Sequence, residues 1–165
     1  MDYRDRKHLR RKHYDYSQNG TYFVTICTRE RKRILSRIET SVGPDALIGP
    51  QVHLTEIGKT VDQYIQKTNR VYGTVSIERY VIMPNHIHLL IGLQNGPMGA
   101  SGPTLPQIIK AIKGMVTRSI GHTIWQDNYY EHIIRDENDL LIHWQYIDHN
   151  PACWADDPYY GEELQ

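Results

Sequence analysis

The stretch Pro84-Asn85-His86-Ile87-His88-Leu89-Leu90-Ile91 sets two histidines at the head of an apolar run that is typical of a buried strand. Successive side chains of a strand point to opposite faces of the sheet, so the two histidines share one face. Two imidazoles arranged in this way can bind one metal ion. A pair of surface histidines on an edge strand has the same pattern, and the stretch alone leaves both interpretations open.

Segments on both sides of this strand predict the fold class. Pro84-Asn85 is typical of a tight turn, and 36–51, with two Gly-Pro pairs, of a loop. The predicted order is strand, helix, strand, strand, helix, strand, helix. This order indicates an α+β fold, with a four-stranded, mostly antiparallel sheet and two crossover helices on one face. The strands are predicted at 21–28, 75–83, 86–93 and 129–135, and the helices begin after Thr55, Thr104 and Asp136, the last one ending near Asn150.

Length and composition limit the class of protein. The chain has 165 residues, which predicts one domain at 19–165 behind a basic arm at 1–18. No segment has the apolar length of a membrane span, and the first residues lack the apolar part of a signal peptide. Cys27 and Cys153 form no Cys-x-x-Cys pair, which favours reduced thiols and a cytoplasmic location.

The net charge of zero hides an uneven distribution along the chain. Residues 1–40 hold eleven Lys or Arg and five Asp or Glu, which gives this part a net charge of +6. Basic residues interleaved with Tyr3, Tyr14 and Tyr16 are typical of segments that bind phosphate backbones and stack on bases. A solvated tail has the same composition, so this feature alone does not decide between the two.

The predicted last helix has an apolar stripe and a polar flank. Leu140, Leu141, Trp144 and Ile147 form the stripe at helical spacing. At about 100° per residue, four polar side chains come together on one flank of the same helix. They are Asp139, His143, Tyr146 and Asn150. Tyr146 is therefore off the core face, where a half-exposed structural tyrosine is the alternative interpretation, and Asn150 also suits a helix end before Pro151.

Four motifs together resemble the single-tyrosine His-hydrophobic-His transposases, and within them the REP-associated tyrosine transposases. In chain order they are Tyr80-Val81-Ile82-Met83-Pro84-Asn85-His86-Ile87-His88-Leu89-Leu90, Trp125-Gln126, Tyr130-Glu131-His132-Ile133-Ile134-Arg135-Asp136 and Tyr146-Ile147-Asp148-His149-Asn150-Pro151. The resemblance runs from about residue 14 to the end. It implies a ferredoxin-like fold whose C-terminal helix carries the nucleophile, in agreement with the predicted order of elements.

The resemblance also implies roles for individual residues. His86 and His88 correspond to the histidines that hold a divalent ion, Mg²⁺ or Mn²⁺, and Tyr146 to the nucleophile. Asn150 corresponds to a third metal ligand, a role for which His132 or His149 can compete. The implied reaction is cleavage and rejoining of single-stranded DNA beside palindromic hairpins through a 5′-phosphotyrosine. A monomer or a homodimer is compatible with it, and two imidazoles with one amide predict weak metal binding without DNA.

Basic side chains are the candidates for binding the DNA backbone. They are Arg4, Arg6, Arg10, Arg11 and Lys12 in the arm, Arg31, Lys32 and Arg33 after the first strand, Lys110, Lys113 and Arg118 on the second helix, and Arg135. Arg135 can instead pair with Asp136 or Glu137. Two other functions compete with the transferase. One is a hairpin-binding module without catalysis, and the other is a metal-dependent phosphoesterase, which needs carboxylate ligands that the sequence does not put near the histidines.

Overall fold

The computed structural model describes residues 19–40, 49–96 and 100–161. The predicted basic arm, and with it Arg4, Arg6, Arg10, Arg11 and Lys12, lies outside the described residues. Within these ranges, six strands and three α-helices follow one another in chain order. They are β1 (Gly20–Cys27), β2 (Ser36–Glu39), β3 (Gln51–Leu54), α1 (Glu56–Val71), β4 (Val75–Ile82), β5 (His86–Leu93), α2 (Leu105–Ile120), β6 (Tyr130–Ile133) and α3 (Glu137–His149), with short 3₁₀ turns at Arg29–Arg31 and Trp154–Asp156.

Four of the strands form the main sheet, in the order β4-β5-β1-β6 with every neighbouring pair antiparallel. This is the ferredoxin-like order, and the predicted α+β class is confirmed. β5 lies in the middle of the sheet, and Thr25 of β1 is opposite His88 while Cys27 is opposite His86. The histidine pair is therefore on a central strand rather than on an edge strand.

The two faces of the sheet are covered by different helices. On one face Ile87, Leu89 and Ile91 pack with the apolar sides of α1 and α2 and form the main core. Thr55 and Thr104 begin these helices, as predicted, and Thr104 forms a capping box with Gln107. On the other face, a smaller cluster contains Phe23, Leu90 and Ile147 of α3. The histidines point to this second face, beneath α3. Among the described helices, none is long and apolar enough to cross a membrane.

The prediction of a loop over 36–51 is wrong at both ends of that segment. β2 and β3 pair as a two-stranded antiparallel sheet, with Ser36 opposite Leu54. Residues 41–48 between them are not described. Each strand has only four residues, too short a stretch for an alternating pattern to outweigh two Gly-Pro pairs. The Ser36 hydroxyl donates to the Ile82 carbonyl and fastens this hairpin to the main sheet.

The apolar stripe predicted for α3 includes one residue too many. Ile147 is buried and Leu140 and Trp144 pack partly against the second face, but Leu141 is 53% exposed. Leu141 lies about 100° around the helix from Leu140, outside the arc that Leu140, Trp144 and Ile147 share. The narrower stripe leaves more of the helix circumference for polar side chains.

Candidate metal and nucleophile site

The two imidazoles of β5 point their Nε2 atoms at each other, 3.0 Å apart. His86 Nδ1 is 2.8 Å from Asn85 Oδ1, and His88 Nδ1 is 2.7 Å from the Thr25 hydroxyl. Asn85 Nδ2 donates to the Tyr159 carbonyl, so its Oδ1 is the atom left to accept from His86. His86 Nδ1 therefore carries the proton, and its Nε2 offers a lone pair. Hydrogen bonds of this kind orient histidines as metal ligands.

Burial keeps both imidazoles neutral. Burial lowers the pKa of His86 to about 3; the nearby Asn150 amide opposes this shift and the charge of Arg31 adds to it. Burial likewise holds the pKa of His88 well below its ordinary value, and the nearby His86 and His143 lower it further. Neutral imidazole is the form that binds a metal ion, so these two groups need release no proton near pH 7.

Two buried oxygens complete the surroundings of the histidine pair. Asn150 follows α3, and Asp157 lies in the segment after it; the Asp157 carboxylate is 3.8 Å from His86 Nε2. Asn150 Oδ1 and Asp157 Oδ2 are buried, and neither has a hydrogen-bond partner among the described residues. A buried acceptor without a donor is costly unless a cation or another group satisfies it.

This donor set fits a divalent cation. Two nitrogens about 2.1 Å from one ion and at right angles around it are about 3.0 Å apart, which is the observed separation of the two Nε2 atoms. The amide and carboxylate oxygens add the hard ligands that Mg²⁺ and Mn²⁺ prefer. The site therefore contains a carboxylate, unlike the set of two imidazoles and an amide expected from the sequence.

Asp157 was missed by the sequence reasoning. It stands in an Asp-Asp-Pro turn that resembles an ordinary surface turn, and only its position beside His86 marks it. Burial raises the pKa of Asp157, although hydrogen bonds from the Tyr159 N–H and from Asn150, and the charge of Arg31, oppose the shift. The competing third ligands lie elsewhere: His132 Nε2 is 2.9 Å from an Asp139 oxygen, and the exposed His149 donates to the Gln145 carbonyl.

Tyr146 lies beside this site. Its ring packs against that of His88 with the centroids 5.2 Å apart, and against Phe23 at 5.9 Å. Tyr146 lines a cleft of about 130 Å³ together with Phe23, His88, His143 and other side chains. It is 39% exposed, so a molecule in the cleft can reach it from solvent. The helical flank predicted from the sequence thus faces the histidine pair.

The segment after α3 covers the histidines. The Tyr159 ring lies 4.6 Å from the His86 ring, centroid to centroid, and its carbonyl accepts from Asn85 Nδ2. Arg33 Nη2 donates to the Tyr160 carbonyl at 2.7 Å, and its guanidinium lies over the Tyr160 ring at 4.5 Å. His86 has no exposed surface as a result. The cleft opens on the His88 and Tyr146 side.

Two of the three predicted DNA-binding residues after β1, Arg31 and Arg33, lie against the segment that covers His86. Arg31 has its guanidinium 5.7 Å from the Tyr159 ring centroid, and Lys32 pairs with Glu30 at 3.1 Å in an exposed ion pair. Glu30 and Arg31 both have positive φ, 56° and 54°, which is unusual for residues other than glycine. Arg33 is engaged with Tyr160, as described above. The role of these residues in DNA binding stays a prediction.

The remaining predicted DNA contacts lie on or near α2 and before α3. Lys110, Arg118 and Arg135 are exposed. Lys113 is different: its ammonium group donates to the carbonyls of Gln126 and Asp127, at 2.6 and 3.1 Å, and ties α2 to the following loop. Burial lowers the pKa of Lys113, although the charge of Asp127 opposes this shift. Lys113 therefore has a structural role, which is to hold the loop at Gln126 and Asp127 against α2, whether or not it also contacts DNA.

Comparisons with known proteins agree with this arrangement. No protein-family model matches the chain. The chain is 34% identical to an uncharacterized protein of Haemophilus influenzae, over 94% of this chain and 93% of that protein. It is 27% identical to a REP-associated tyrosine transposase of Escherichia coli, over 83% of this chain and 69% of that protein. A second Haemophilus influenzae protein, named "Putative REP-associated tyrosine transposase", is also 27% identical, over 84% of this chain and 73% of that protein.

A solved structure is similar to this fold over most of its length. It is a REP-associated tyrosine transposase bound to a REP hairpin, with a TM-score of 0.62 and 25% sequence identity. The likeness covers 90% of this chain and 79% of that one. Sequence and fold thus point in the same direction as the four motifs.

Proposed function

The chain belongs to the REP-associated tyrosine transposase family, which makes it DNA transposase-like, and we propose that it cleaves and rejoins single-stranded DNA through a covalent bond to Tyr146. The observation that carries this proposal is the packing of the Tyr146 ring against His88, at the edge of a site suited to a divalent cation. A phenol in such a position can attack a phosphate that is held beside the histidine pair.

The phenol needs assistance to act as a nucleophile. An ordinary tyrosine has a pKa of about 10, so roughly one in a thousand is ionised near pH 7. Attack of Tyr146 Oη on the phosphorus, in line with the departing 3′-oxygen, yields a 5′-phosphotyrosine and a free 3′-end. That 3′-hydroxyl can later attack the phosphotyrosine, which rejoins DNA without an external energy source. For this attack, the segment after α3 that covers His86 must leave room for a phosphate on the Tyr146 side of His88.

Four side chains would hold the cation: His86, His88, Asn150 and Asp157. A bound Mg²⁺ or Mn²⁺ would polarise a non-bridging phosphate oxygen and relieve charge as the phenol attacks. The protein's own contribution is to aim the two Nε2 atoms, through Asn85 and Thr25, and to keep both imidazoles neutral by burial.

Hairpin DNA is the proposed substrate, because the solved structure similar to this chain is bound to a REP hairpin. The basic residues before and after β1 would follow the phosphate backbone by charge. Binding of this kind weakens steeply as salt concentration rises, which distinguishes it from binding through apolar contacts.

The test is covalent capture. Single-stranded hairpin DNA labelled at its 3′-end, incubated with the protein and Mn²⁺ or Mg²⁺, should give a protein–DNA adduct that survives denaturation. Tyr146→Phe should abolish the adduct and leave hairpin binding intact. Tyr72→Phe is the matched control, because Tyr72 packs against the main core on the opposite face of the sheet. Absence of any adduct across a varied set of hairpins, or an adduct that persists in Tyr146→Phe, contradicts the proposal.

Two alternatives remain distinguishable by the same variants. A hairpin-binding module without catalysis binds DNA but forms no adduct in any variant. One observation favours a metal-dependent phosphoesterase: the Asp157 carboxylate lies beside His86 and could supply the carboxylate ligand that the sequence did not put near the histidines. It would hydrolyse a simple phosphate ester equally well in the Tyr146→Phe variant.

A further inference from the structure

A second cluster of titratable side chains lies beside the cleft, apart from the proposed metal ligands. Asp139, in the first turn of α3, joins two histidines whose rings stack 4.5 Å apart, centroid to centroid. His132 Nε2 is 2.9 Å from Asp139 Oδ2, and His143 Nδ1 is 3.1 Å from Asp139 Oδ1. The proposed function assigns this cluster no task.

The contacts of His143 determine which of its nitrogens carries the proton. Its Nδ1 faces two oxygens, the Asp139 carbonyl at 2.8 Å and the Asp139 carboxylate at 3.1 Å. Since both are acceptors, Nδ1 is the donor, and the neutral ring keeps its lone pair on Nε2. A nitrogen that donates a proton has no lone pair for a metal ion, so the cluster is better suited to hydrogen bonding than to metal binding.

The Asp139 carboxylate is held in its ionised form. Oδ2 accepts from the Arg135 backbone N–H at 2.9 Å as well as from His132. Burial would raise the pKa of Asp139, but these hydrogen bonds and the charges of His132 and His143 outweigh that effect and lower it. An ionised carboxylate on Nδ1 stabilises the imidazolium that forms when Nε2 takes up a proton, which is the arrangement of the Asp-His pair in serine proteases.

His143 stands next to Tyr146. The two residues are three apart on α3 and so share one side of the helix. Both line the same cleft, and the Phe23 ring packs against both, at 4.7 Å from His143 and 5.9 Å from Tyr146. The titratable groups around His143 are Asp139 and Tyr146 on α3, Tyr130 and His132 on β6, His88 on β5, and Tyr159 in the C-terminal segment.

We propose, on the basis of the proposed function, that His143 is the general base for the nucleophile. As the bond between Tyr146 Oη and phosphorus forms, the phenol proton passes to His143 Nε2, and the bond from phosphorus to the 3′-oxygen breaks. The departing 3′-oxygen takes a proton from solvent. In the rejoining step the 3′-hydroxyl loses its proton to solvent and attacks, and the imidazolium returns its proton to the phenolate of Tyr146. Asp139 and His132 act as positioning residues.

The experiment measures the rate of adduct formation in a single turnover, with hairpin DNA and Mn²⁺, for the unaltered chain and for His143→Gln. General-base catalysis contributes about 100-fold to 10⁴-fold, so His143→Gln should be slower by that factor near pH 7. The defect should shrink as pH rises, because hydroxide increasingly ionises the phenol without help. It should also shrink when Tyr146 is replaced by a fluorotyrosine, whose phenol ionises more easily.

His149→Gln is the matched control, because His149 lies on the same helix and also donates through Nδ1 to a carbonyl four residues back, but has no carboxylate partner among the described residues. Its rate should stay within about threefold of the unaltered chain. Asp139→Asn is a second test that keeps the shape of the side chain. It should slow adduct formation in the same direction, because an amide can donate to His143 Nδ1 and favour the wrong tautomer.

The outcomes separate the two proposals. If the unaltered chain forms no adduct, or if Tyr146→Phe still forms one, the proposed function fails and this inference with it. If Tyr146→Phe abolishes the adduct while His143→Gln reacts at the unaltered rate, the inference alone is overturned. A His143→Gln defect that is equal at every pH, and equal with tyrosine and fluorotyrosine, also overturns it, because such a defect reflects structure rather than proton transfer.

Discussion

The ring of Tyr146 packs against the ring of His88, with the centroids 5.2 Å apart and 66° between the planes. The two residues belong to different elements, α3 and β5, and meet because α3 crosses the second face of the sheet. Phe23 of β1 packs against both rings and holds this spacing. The proposed nucleophile and the proposed metal-binding imidazoles are thus set side by side by ordinary packing of apolar surfaces.

Asp157→Asn should weaken Mn²⁺ binding by at least about tenfold, because it removes the only negative charge among the four proposed ligands. Loss of a residue that merely hydrogen-bonds to a metal ligand already lowers metal affinity by about tenfold or more, and a direct ligand should matter at least as much. The measurement is a titration of the free protein with Mn²⁺, followed by electron paramagnetic resonance. Asp156→Asn is the control, since Asp156 is the exposed neighbour in sequence. Equal affinities for the two variants would show that Asp157 is not a ligand.

Thr25→Val should lower Mn²⁺ affinity by about 10-fold to 100-fold, although Thr25 itself is not a proposed ligand. Valine keeps the shape of the side chain but removes the hydroxyl that is 2.7 Å from His88 Nδ1. The ring then loses the contact that aims its Nε2. The same titration measures the effect, with Thr21→Val on the same strand as the control. An unchanged affinity in Thr25→Val would mean that packing alone orients His88.

Gly58→Ala and Gly114→Ala should have opposite effects on stability. A Cβ at Gly58 would overlap the Leu35 carbonyl oxygen just before β2, so α1 or that segment must shift, at a cost of about 1–3 kcal/mol. A Cβ at Gly114, within α2, meets no atom of the described residues within 4 Å. Alanine there should stabilise the fold by about 0.5–1 kcal/mol, because it suits a helix better. Chemical denaturation of both variants tests the pair, and a destabilised Gly114→Ala would contradict the packing of α2.

The two cysteines should differ sharply in reactivity. Burial raises the pKa of Cys27 to about 12; the charge of Asp157 also raises it, and that of Arg31 opposes the shift. Cys153 is exposed. Because the thiolate is the reactive form, iodoacetamide at pH 8 should modify Cys153 and spare Cys27 in the native protein. Mass spectrometry should show one modification, and none in Cys153→Ser. Modification of Cys27 before unfolding would contradict its burial.

The stabilising effect of Asp139 should depend on pH. Its folded-state pKa is lower than the ordinary 3.8, so the carboxylate stabilises the fold at any pH above that ordinary value. The contribution disappears as pH falls through the lowered pKa, because the folded carboxylate then takes up a proton. The melting temperature of Asp139→Asn should therefore be below that of the unaltered chain at pH 6, and the difference should narrow below pH 4. A difference that stays constant to pH 3 would contradict this expectation.

Much of the fold could be predicted from local patterns. Alternation along β5 correctly put His86 and His88 on one face and Ile87 and Leu89 on the other. Polar residues before apolar repeats correctly marked the starts of the three helices that the structure describes, each of which has its first residue directly after the predicted cap. These signals depend on neighbours within a few residues, where spacing and side-chain direction are linked by geometry.

Other features could not be predicted because they depend on how distant elements pack. The β2–β3 pairing requires two strands of only four residues to find each other across 41–48. The placement of Asp157 beside His86 follows from the path of the chain after α3, which no periodicity encodes. The contact between His132 and Asp139 likewise joins strand β6 to helix α3 and forms only in the folded chain.

Local sequence patterns predicted that His86 and His88 share a strand face and that Tyr146 and Asn150 share a helix flank, and the resemblance to a transposase family implied that these four residues act together. Only folding brings the Asp157 carboxylate and the Tyr159 ring to His86, and His132 of β6 to Asp139 of α3. The difference arises from the separation along the chain of the residues involved. Backbone geometry relates residues a few positions apart, whereas contacts between α3, β5 and the C-terminal segment exist only after the sheet order and the packing of apolar faces have brought them together.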